Sequence, residues 1–214
     1  MLRYLTAGES HGPCLVTVIE GLPYGLPIAA AAVAAALARR QGGYGRGARQ
    51  KMEHDTAEIL AGVRQGRTVG GPLVLRIPNR VKSGETLGPI DKPRPGYADL
   101  PGALKLGLTD ARDVSERASA RETAARVAAG AVARQVLSPF GIDVLGYVVA
   151  VGTVSSAVRL DDPAEIRRRR EASPFAAIDP ATEAAWTAQV DAAKGRGDTV
   201  GGVFEVVALD APAG

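Results

Sequence analysis

The chain has 214 residues, of which 46% are hydrophobic and 23% charged, a balance that fits a soluble globular protein with a substantial core. Its net charge of +3 is only mildly basic and suits a small anionic ligand as well as a nucleic acid. The single cysteine excludes an intrachain disulfide, and no apolar run has the length of a membrane span. We therefore predict a cytoplasmic protein with neither a metal site nor a membrane contact.

The hydrophobic pattern predicts strands and helices in alternation, and hence an α/β architecture. Alternation of apolar and polar residues indicates strands, and alanine-rich stretches free of proline indicate helices. In chain order the prediction is strands 2–7 and 15–22, helix 29–40, a glycine-rich basic loop 41–51, strands 56–63 and 72–77, an irregular connection 78–97, helix 115–137, strand 144–154, helices 162–172 and 180–194, and strand 200–209.

A short polar loop, Gly8-Glu9-Ser10-His11-Gly12, separates the first two predicted strands. Its glycines allow a tight turn and a close approach of the backbone to a ligand. His11 is one of two histidines in the chain, and histidine can donate or accept a proton near neutral pH. The loop therefore predicts a proton-transfer residue; the alternative is a polar hairpin whose histidine is merely solvated.

The loop from Arg39 to Lys51 contains four arginines, one lysine and four glycines, and no acidic residue. Arginine binds phosphate and carboxylate oxygens in a bidentate manner, so this composition predicts a multiply anionic small ligand. The alternative is an RNA-binding or simply flexible segment, which the lack of repeats makes weaker. A second arginine run, 167–170, is interpreted as a solvated helix face.

The stretch from Ser115 to Thr123 opens the predicted helix 115–137. Ser115 is a plausible N-cap, which leaves Ser119 in the early turns, where free N–H groups favour an anion. Arg121 adds a fixed positive charge. The alternative is an ordinary capped helix with exposed arginines.

Taken together, these motifs resemble the chorismate synthase family. Gly8 to Gly12, with Glu20-Gly21-Leu22-Pro23 after it, is similar to the family's first signature. The segments that resemble the arginine loop, the second signature and a further family segment are 40–47, 116–123 and 197–202. The likeness keeps the family's order along the whole chain.

The resemblance implies a lyase of the shikimate pathway. Family members convert 5-enolpyruvylshikimate 3-phosphate to chorismate by 1,4-elimination of phosphate and a ring proton, and they need reduced FMN, with NADPH as the associated reductant. It also implies a fold of long helices between antiparallel sheets and a homotetramer. A phosphate leaving group calls for several arginines and a proton donor.

Carried over by position, the resemblance implies a catalytic His11 that acts as the acid beside the departing phosphate. The arginines implied to bind the anionic groups of the substrate are Arg40, Arg46, Arg49, Arg94 and Arg121. The residues implied to hold the flavin are Arg117, Ala118 and Ser119.

Two departures from the family pattern stand out. Tyr97 occupies the position of a family histidine, and a tyrosine hydroxyl carries no positive charge. His54 lies in a variable stretch and is expected at the surface. Family members are also about twice as long, so we expect 1–214 to be a single chorismate synthase-like domain that is incomplete at its C-terminus.

Two alternatives remain: a family member that binds an anion or flavin without turnover, and a basic RNA-associated domain.

Overall fold

The computed structural model describes residues 1–47, 53–80 and 87–212. The chain divides into two compact units, the first of Met1–Gln41 with Met52–Val136 and the second of Gly42–Lys51 with Leu137–Gly214. Each unit is described by itself below. The expectation that 1–214 is a single domain stays a prediction.

The first unit is built on an antiparallel sheet with two helices on one face. Its four strands lie in the order β1-β2-β6-β3, and a small hairpin, β4-β5, stands beside them. The strands are β1 Arg3–Ala7, β2 Cys14–Glu20, β3 Glu58–Ala61, β4 Val63–Arg64, β5 Arg67–Thr68 and β6 Leu73–Pro78. The helices are α1 Ala30–Gln41, α2 Asp99–Leu106, α3 Arg112–Arg117 and α4 Thr123–Leu137.

The core of this unit lies between the sheet and helices α1 and α4. Strands β2 and β6 alternate between buried and half-buried residues, as expected for a sheet covered on one face. The alanines of α4, among them Ala124, Ala125 and Ala128, are fully buried against Leu75 and Leu37. Small side chains let this helix approach the sheet closely, which explains the low aromatic content of the chain.

The predicted helix 115–137 is wrong as a continuous element. Helix α3 ends at Arg117, a 3₁₀ turn follows at Ala120–Glu122, and α4 begins at Thr123. Ser119 is extended (φ −64°, ψ 148°) and its side chain accepts a hydrogen bond from the Arg121 N–H. Ser119, rather than Ser115, is therefore the capping residue, and the break gives the Ala118–Ser119 backbone an irregular course.

Helix α2 was not predicted from the sequence. Pro101 lies in its first turn, where the missing N–H is of no consequence. Gly102 lies where a Cβ would stand 2.4 Å from Cγ1 of Val114, so α2 and α3 pack at close range. The helix ends at Gly107 in the left-handed conformation.

The second unit contains a three-stranded antiparallel sheet in the order β8-β7-β9. Its strands are β7 Asp143–Val151, β8 Val154–Ser155 and β9 Gly202–Leu209, and its helices are α5 Pro163–Ala172 and α6 Glu183–Gly195. Leu145, Tyr147 and Ile178 form one cluster with Ile166 of α5, and Trp186 of α6 is fully buried in another. The predicted helices 162–172 and 180–194 are confirmed in place, although 180–182 form a 3₁₀ turn.

The predicted strand 144–154 is wrong at its end. The chain turns at Gly152 and Thr153, so that Val151 pairs with Val154 in a tight hairpin. Gly152 has a φ of 59°, which this turn requires. The predicted combination of helices with antiparallel sheets is confirmed in both units.

Within the described residues, none of the helices is long and apolar enough to traverse a lipid bilayer.

Candidate active site

The loop between β1 and β2 places His11 against the end of α3. His11 Nδ1 lies 2.9 Å and 3.0 Å from the two carboxylate oxygens of Glu116, and the His11 backbone N–H donates to the same carboxylate at 2.8 Å. The Ser10 N–H donates to the Glu116 carbonyl at 3.1 Å. Gly8 makes the turn possible, because its φ is 108° and a Cβ there would lie 2.3 Å from the Cys14 carbonyl oxygen.

Glu116 is a buried carboxylate that fixes the imidazole. Burial alone would raise the pKa of Glu116, but the hydrogen bonds from the His11 ring and backbone outweigh it and hold the pKa below its usual value. An ionised Glu116 accepts from Nδ1–H and thereby fixes the tautomer and the orientation of the ring. The sequence did not single out Glu116 for this role, because 105 residues separate it from His11.

A second cluster joins Arg40, Arg121 and Asp55. Arg121 donates to one Asp55 oxygen at 2.6 Å, and Arg40 donates to the other at 3.2 Å. Arg40 also donates to the Thr123 hydroxyl at 2.9 Å and to the Ala120 carbonyl at 3.1 Å. Arg40 and Arg121 thus bind the same carboxylate, and the side chains of Asp55 and Arg121 are almost inaccessible to solvent.

Arg121 lies deeper than a surface anion receptor would. Its side chain is 5% exposed and binds Asp55, Asn79 and the Pro78 carbonyl. The contact of Arg121 with the substrate stays a prediction. Its described hydrogen bonds join the start of α4 to Asp55 and to the end of β6.

Arg94 is paired with Asp99 at the start of α2. The guanidinium donates to the two carboxylate oxygens at 2.7 Å and 2.9 Å and to the Ser115 hydroxyl at 2.7 Å. These hydrogen bonds from Arg94 lower the pKa of Asp99 to about 2. Tyr97, which stands at the family's histidine position, stacks on the Arg94 guanidinium at 4.1 Å and is 54% exposed.

The three residues predicted to hold the flavin lie at the break between α3 and the 3₁₀ turn. Arg117 pairs with Glu122 and donates to the carbonyl and hydroxyl of Thr6, each at 2.9 Å. Arg126 also binds Glu122, at 3.2 Å. Ala118 is exposed and Ser119 is half-buried.

Arg46 belongs to the second unit, where it lines a cleft of about 740 Å³ with Lys194. Desolvation lowers the pKa of the Arg46 guanidinium from its usual value. It has no carboxylate partner among the residues that the structure describes, in contrast to Arg40, Arg94, Arg117 and Arg121. Arg49 lies outside the described residues.

His54 is exposed, as predicted. Three arginines of the 167–170 run pair with carboxylates of their own unit: Arg167 with Asp143, and Arg168 and Arg169 with Glu165. Only Arg168 is exposed, while Arg167, Arg169 and Arg170 are half-buried, so the run forms only in part the solvated helix face that the sequence predicts. In the parts of the chain that are described, no group of histidine, cysteine and acidic residues is arranged to hold a metal ion.

Comparison with known proteins identifies the family. The sequence profile described as chorismate synthase matches residues 2–214. The chorismate synthase of Symbiobacterium thermophilum is 50% identical over all of this chain and 59% of its own length, and that of Thermobifida fusca is 47% identical over 60% of its length. A crystal structure of chorismate synthase superposes with a TM-score of 0.81 at 39% identity, covering 99% of this chain and 59% of that one.

The chain thus spans about three fifths of the length of these relatives. The match runs through both units, and the predicted fold class is confirmed by the superposition. On this evidence the chain belongs to the chorismate synthase family.

Proposed function

We propose that this chain takes part in the conversion of 5-enolpyruvylshikimate 3-phosphate to chorismate and phosphate, with reduced FMN. The observation that carries the proposal is the family match over residues 2–214 at about 50% identity. Phosphate and a ring proton leave in this reaction, and a second double bond forms in the ring. The chain has to bind three anionic groups and assist the departure of phosphate.

His11 is proposed as the acid that serves the departing phosphate. With Nδ1 bound to Glu116, the ring would transfer a proton to a phosphate oxygen from Nε2. Glu116 restrains the orientation of the ring, since the carboxylate accepts from both the ring and the backbone of His11. In other acid–base sites too, a buried carboxylate that accepts from Nδ1–H holds the catalytic histidine in its orientation.

The arginines are proposed to bind the substrate's phosphate and carboxylates. In the first unit Arg40 and Arg121 are held in place by their shared contact with Asp55. Arg46 contributes a partly desolvated cation in the second unit, and Arg49 and Arg94 complete the proposed set. Such preorganised charge is worth most where water is partly excluded.

The segment 117–119 is proposed as the site of a phosphate-bearing flavin. Arg117 and Arg126 share Glu122 and leave one net positive charge beside the irregular backbone of Ala118 and Ser119. We propose that Arg117, Ala118 and Ser119 hold the flavin through this charge and backbone. Held by these residues, reduced FMN would supply electron density for the elimination and a base for the ring proton.

An anaerobic assay of chorismate formation tests the proposed function. Purified chain, substrate and reduced FMN should give chorismate and phosphate in equal amounts, and oxidised FMN should give neither. Binding of substrate or flavin without product would instead favour the family member that lacks turnover. We further propose a cytoplasmic enzyme that assembles as a homotetramer, and sedimentation analysis of the protein tests the assembly.

A further inference from the structure

A buried asparagine lies directly beneath the His11 loop. Asn79 follows β6 and is 1% exposed. Its side-chain N–H₂ group faces three carbonyl oxygens of the loop, those of Glu9 at 3.0 Å, Ser10 at 3.3 Å and Gly12 at 2.8 Å. Its backbone N–H donates to the Pro13 carbonyl at 3.1 Å. One residue thus anchors the carbonyls on both sides of His11.

The opposite end of the same amide binds an arginine. Asn79 Oδ1 accepts from Arg121 Nε at 2.8 Å, and Arg121 in turn is paired with Asp55. Arginine has only donors and the loop carbonyls are only acceptors. The Asn79 amide must therefore turn Oδ1 towards Arg121 and its N–H₂ group towards the loop. A carboxylate at this position would satisfy Arg121 but would place an oxygen against the loop carbonyls.

The contacts form a continuous buried connection from the His11 loop to the two arginines of the Asp55 cluster. The loop binds Asn79, Asn79 binds Arg121, and Asp55 links Arg121 to Arg40. Buried polar networks whose members all have partners restrain the segments that they join. The position of His11 is thereby tied to the position of the arginine cluster.

We propose that Asn79 is a positioning residue that holds the His11 loop in register with the Arg40–Asp55–Arg121 cluster. It acts through the loop backbone and not on the substrate. The expected effect of Asn79 on kcat rests on the proposed function. Its restraint of the His11 loop does not, because the hydrogen bonds lie within the chain.

A labelling experiment on the unmodified chain tests the contact directly. Asn79 is the only asparagine in the 214 residues, so selective ¹⁵N-asparagine labelling gives one side-chain amide signal pair. We expect its protons to exchange with solvent at least tenfold more slowly than those of free asparagine. Exchange at the free rate would overturn the proposal, whatever the behaviour of the variants.

The variant Asn79→Asp separates the loop contact from the arginine contact, because an aspartate still accepts from Arg121. Amide exchange at residues 10–12 should accelerate at least tenfold, while that of β2 and β6 stays within twofold. Thr68→Val is the matched control: Thr68 is 2% exposed and anchors the 23–26 loop of the same unit, accepting from the Leu26 N–H at 2.9 Å. Unchanged exchange at 10–12 in Asn79→Asp, or equal acceleration in Thr68→Val, would refute the positioning role.

A kinetic measurement extends the test to catalysis. In the chorismate assay Asn79→Asp should lower kcat about tenfold because the acid is misplaced, and KM should rise by a smaller factor because the new carboxylate offsets the charge of Arg121. A fall in binding with kcat unchanged would contradict positioning. Absence of turnover in the unmodified chain would count against the proposed function, and the exchange measurements would still decide the role of Asn79.

Discussion

At the scale of single residues, the orientation of the His11 ring depends on Glu116, whose carboxylate is hydrogen-bonded to Nδ1. Glu116 is buried, has a pKa below its usual value and accepts from both the ring and the backbone of His11. These contacts hold the imidazole in one orientation before a substrate binds. The carboxylate is therefore expected to matter to turnover more than to substrate binding.

Replacing Glu116 with glutamine should lower kcat by roughly tenfold and leave KM within about threefold, because the charge that stabilises the imidazolium is lost. His11→Ala should lower turnover by at least about tenfold while substrate binding is largely kept. Glu20→Gln is the control, since Glu20 pairs only loosely with Arg3 at 3.7 Å on the surface. Steady-state kinetics on the three variants would contradict the assignment if Glu116→Gln matched Glu20→Gln.

Tyr97 is the residue at which this chain differs from its family's pattern. Its ring stacks on Arg94 and is half exposed, so a histidine would fit there without burying a new charge. If the family histidine stabilises charge near the flavin, Tyr97→His should raise turnover several-fold with reduced FMN, while the thermal stability stays unchanged. Equal or lower turnover in the variant would show that the tyrosine is the better residue in this chain.

The partners of the predicted site residues were beyond the reach of sequence reasoning. Local patterns pointed to His11, Arg40 and Arg121, because glycine-flanked polar loops and unneutralised arginines are visible along the chain. Glu116 and Asn79 meet the loop across 105 and 67 residues respectively, and no periodicity reports such pairs. Conversely, Arg94 pairs with Asp99 only five residues away, a spacing that could have been noticed.

At the scale of elements, strands were predicted well and helix boundaries less well. The strands β1, β2, β6 and β9 fall within the predicted segments or one residue beyond them, because one face of each sheet is buried. The sequence around Ser119 does indicate a helix start there, because Ser119 and Glu122 have the spacing of a capping box. In the structure Glu122 instead binds Arg117 and Thr6, so tertiary contacts replaced half of that motif.

Two helical glycines provide a test of the packing. A Cβ on Gly102 would lie 2.4 Å from Val114 Cγ1, whereas one on Gly130 in α4 would meet nothing within 4 Å. Gly102→Ala should therefore lower the free energy of unfolding by about 1–3 kcal/mol, and Gly130→Ala should raise it by about 0.5–1 kcal/mol. Denaturant titrations of the two variants measure both changes, and equal shifts of the same sign would contradict the described α2–α3 contact.

At the scale of the whole molecule, the ion pairs of buried carboxylates make the free energy of unfolding depend on pH. The pKa of Asp99 is about 2, below its ordinary value of 3.8, and that of Glu116 is also lowered. A carboxylate with a depressed pKa binds fewer protons in the folded chain than in the unfolded one. Its contribution to stability is therefore complete above pH about 4 and is lost as the pH falls towards 2.

The Asp99→Asn variant should accordingly be less stable than the unmodified chain at pH 6, and the difference should shrink between pH 4 and pH 2. Urea unfolding at a series of pH values measures this difference. A gap that stays constant with pH would mean that the Arg94–Asp99 pair contributes through packing alone.

Calorimetric titration with 5-enolpyruvylshikimate 3-phosphate tests most directly the proposal that this chain binds the anionic substrate of its family. We expect saturable binding that weakens about tenfold in Arg46→Gln, the loss of one charged hydrogen-bonding group. Arg39→Gln, which removes the same charge from an exposed position on α1, should bind as tightly as the unmodified chain. Absence of saturable heat with the substrate, or salt-sensitive binding of RNA in its place, would contradict the account.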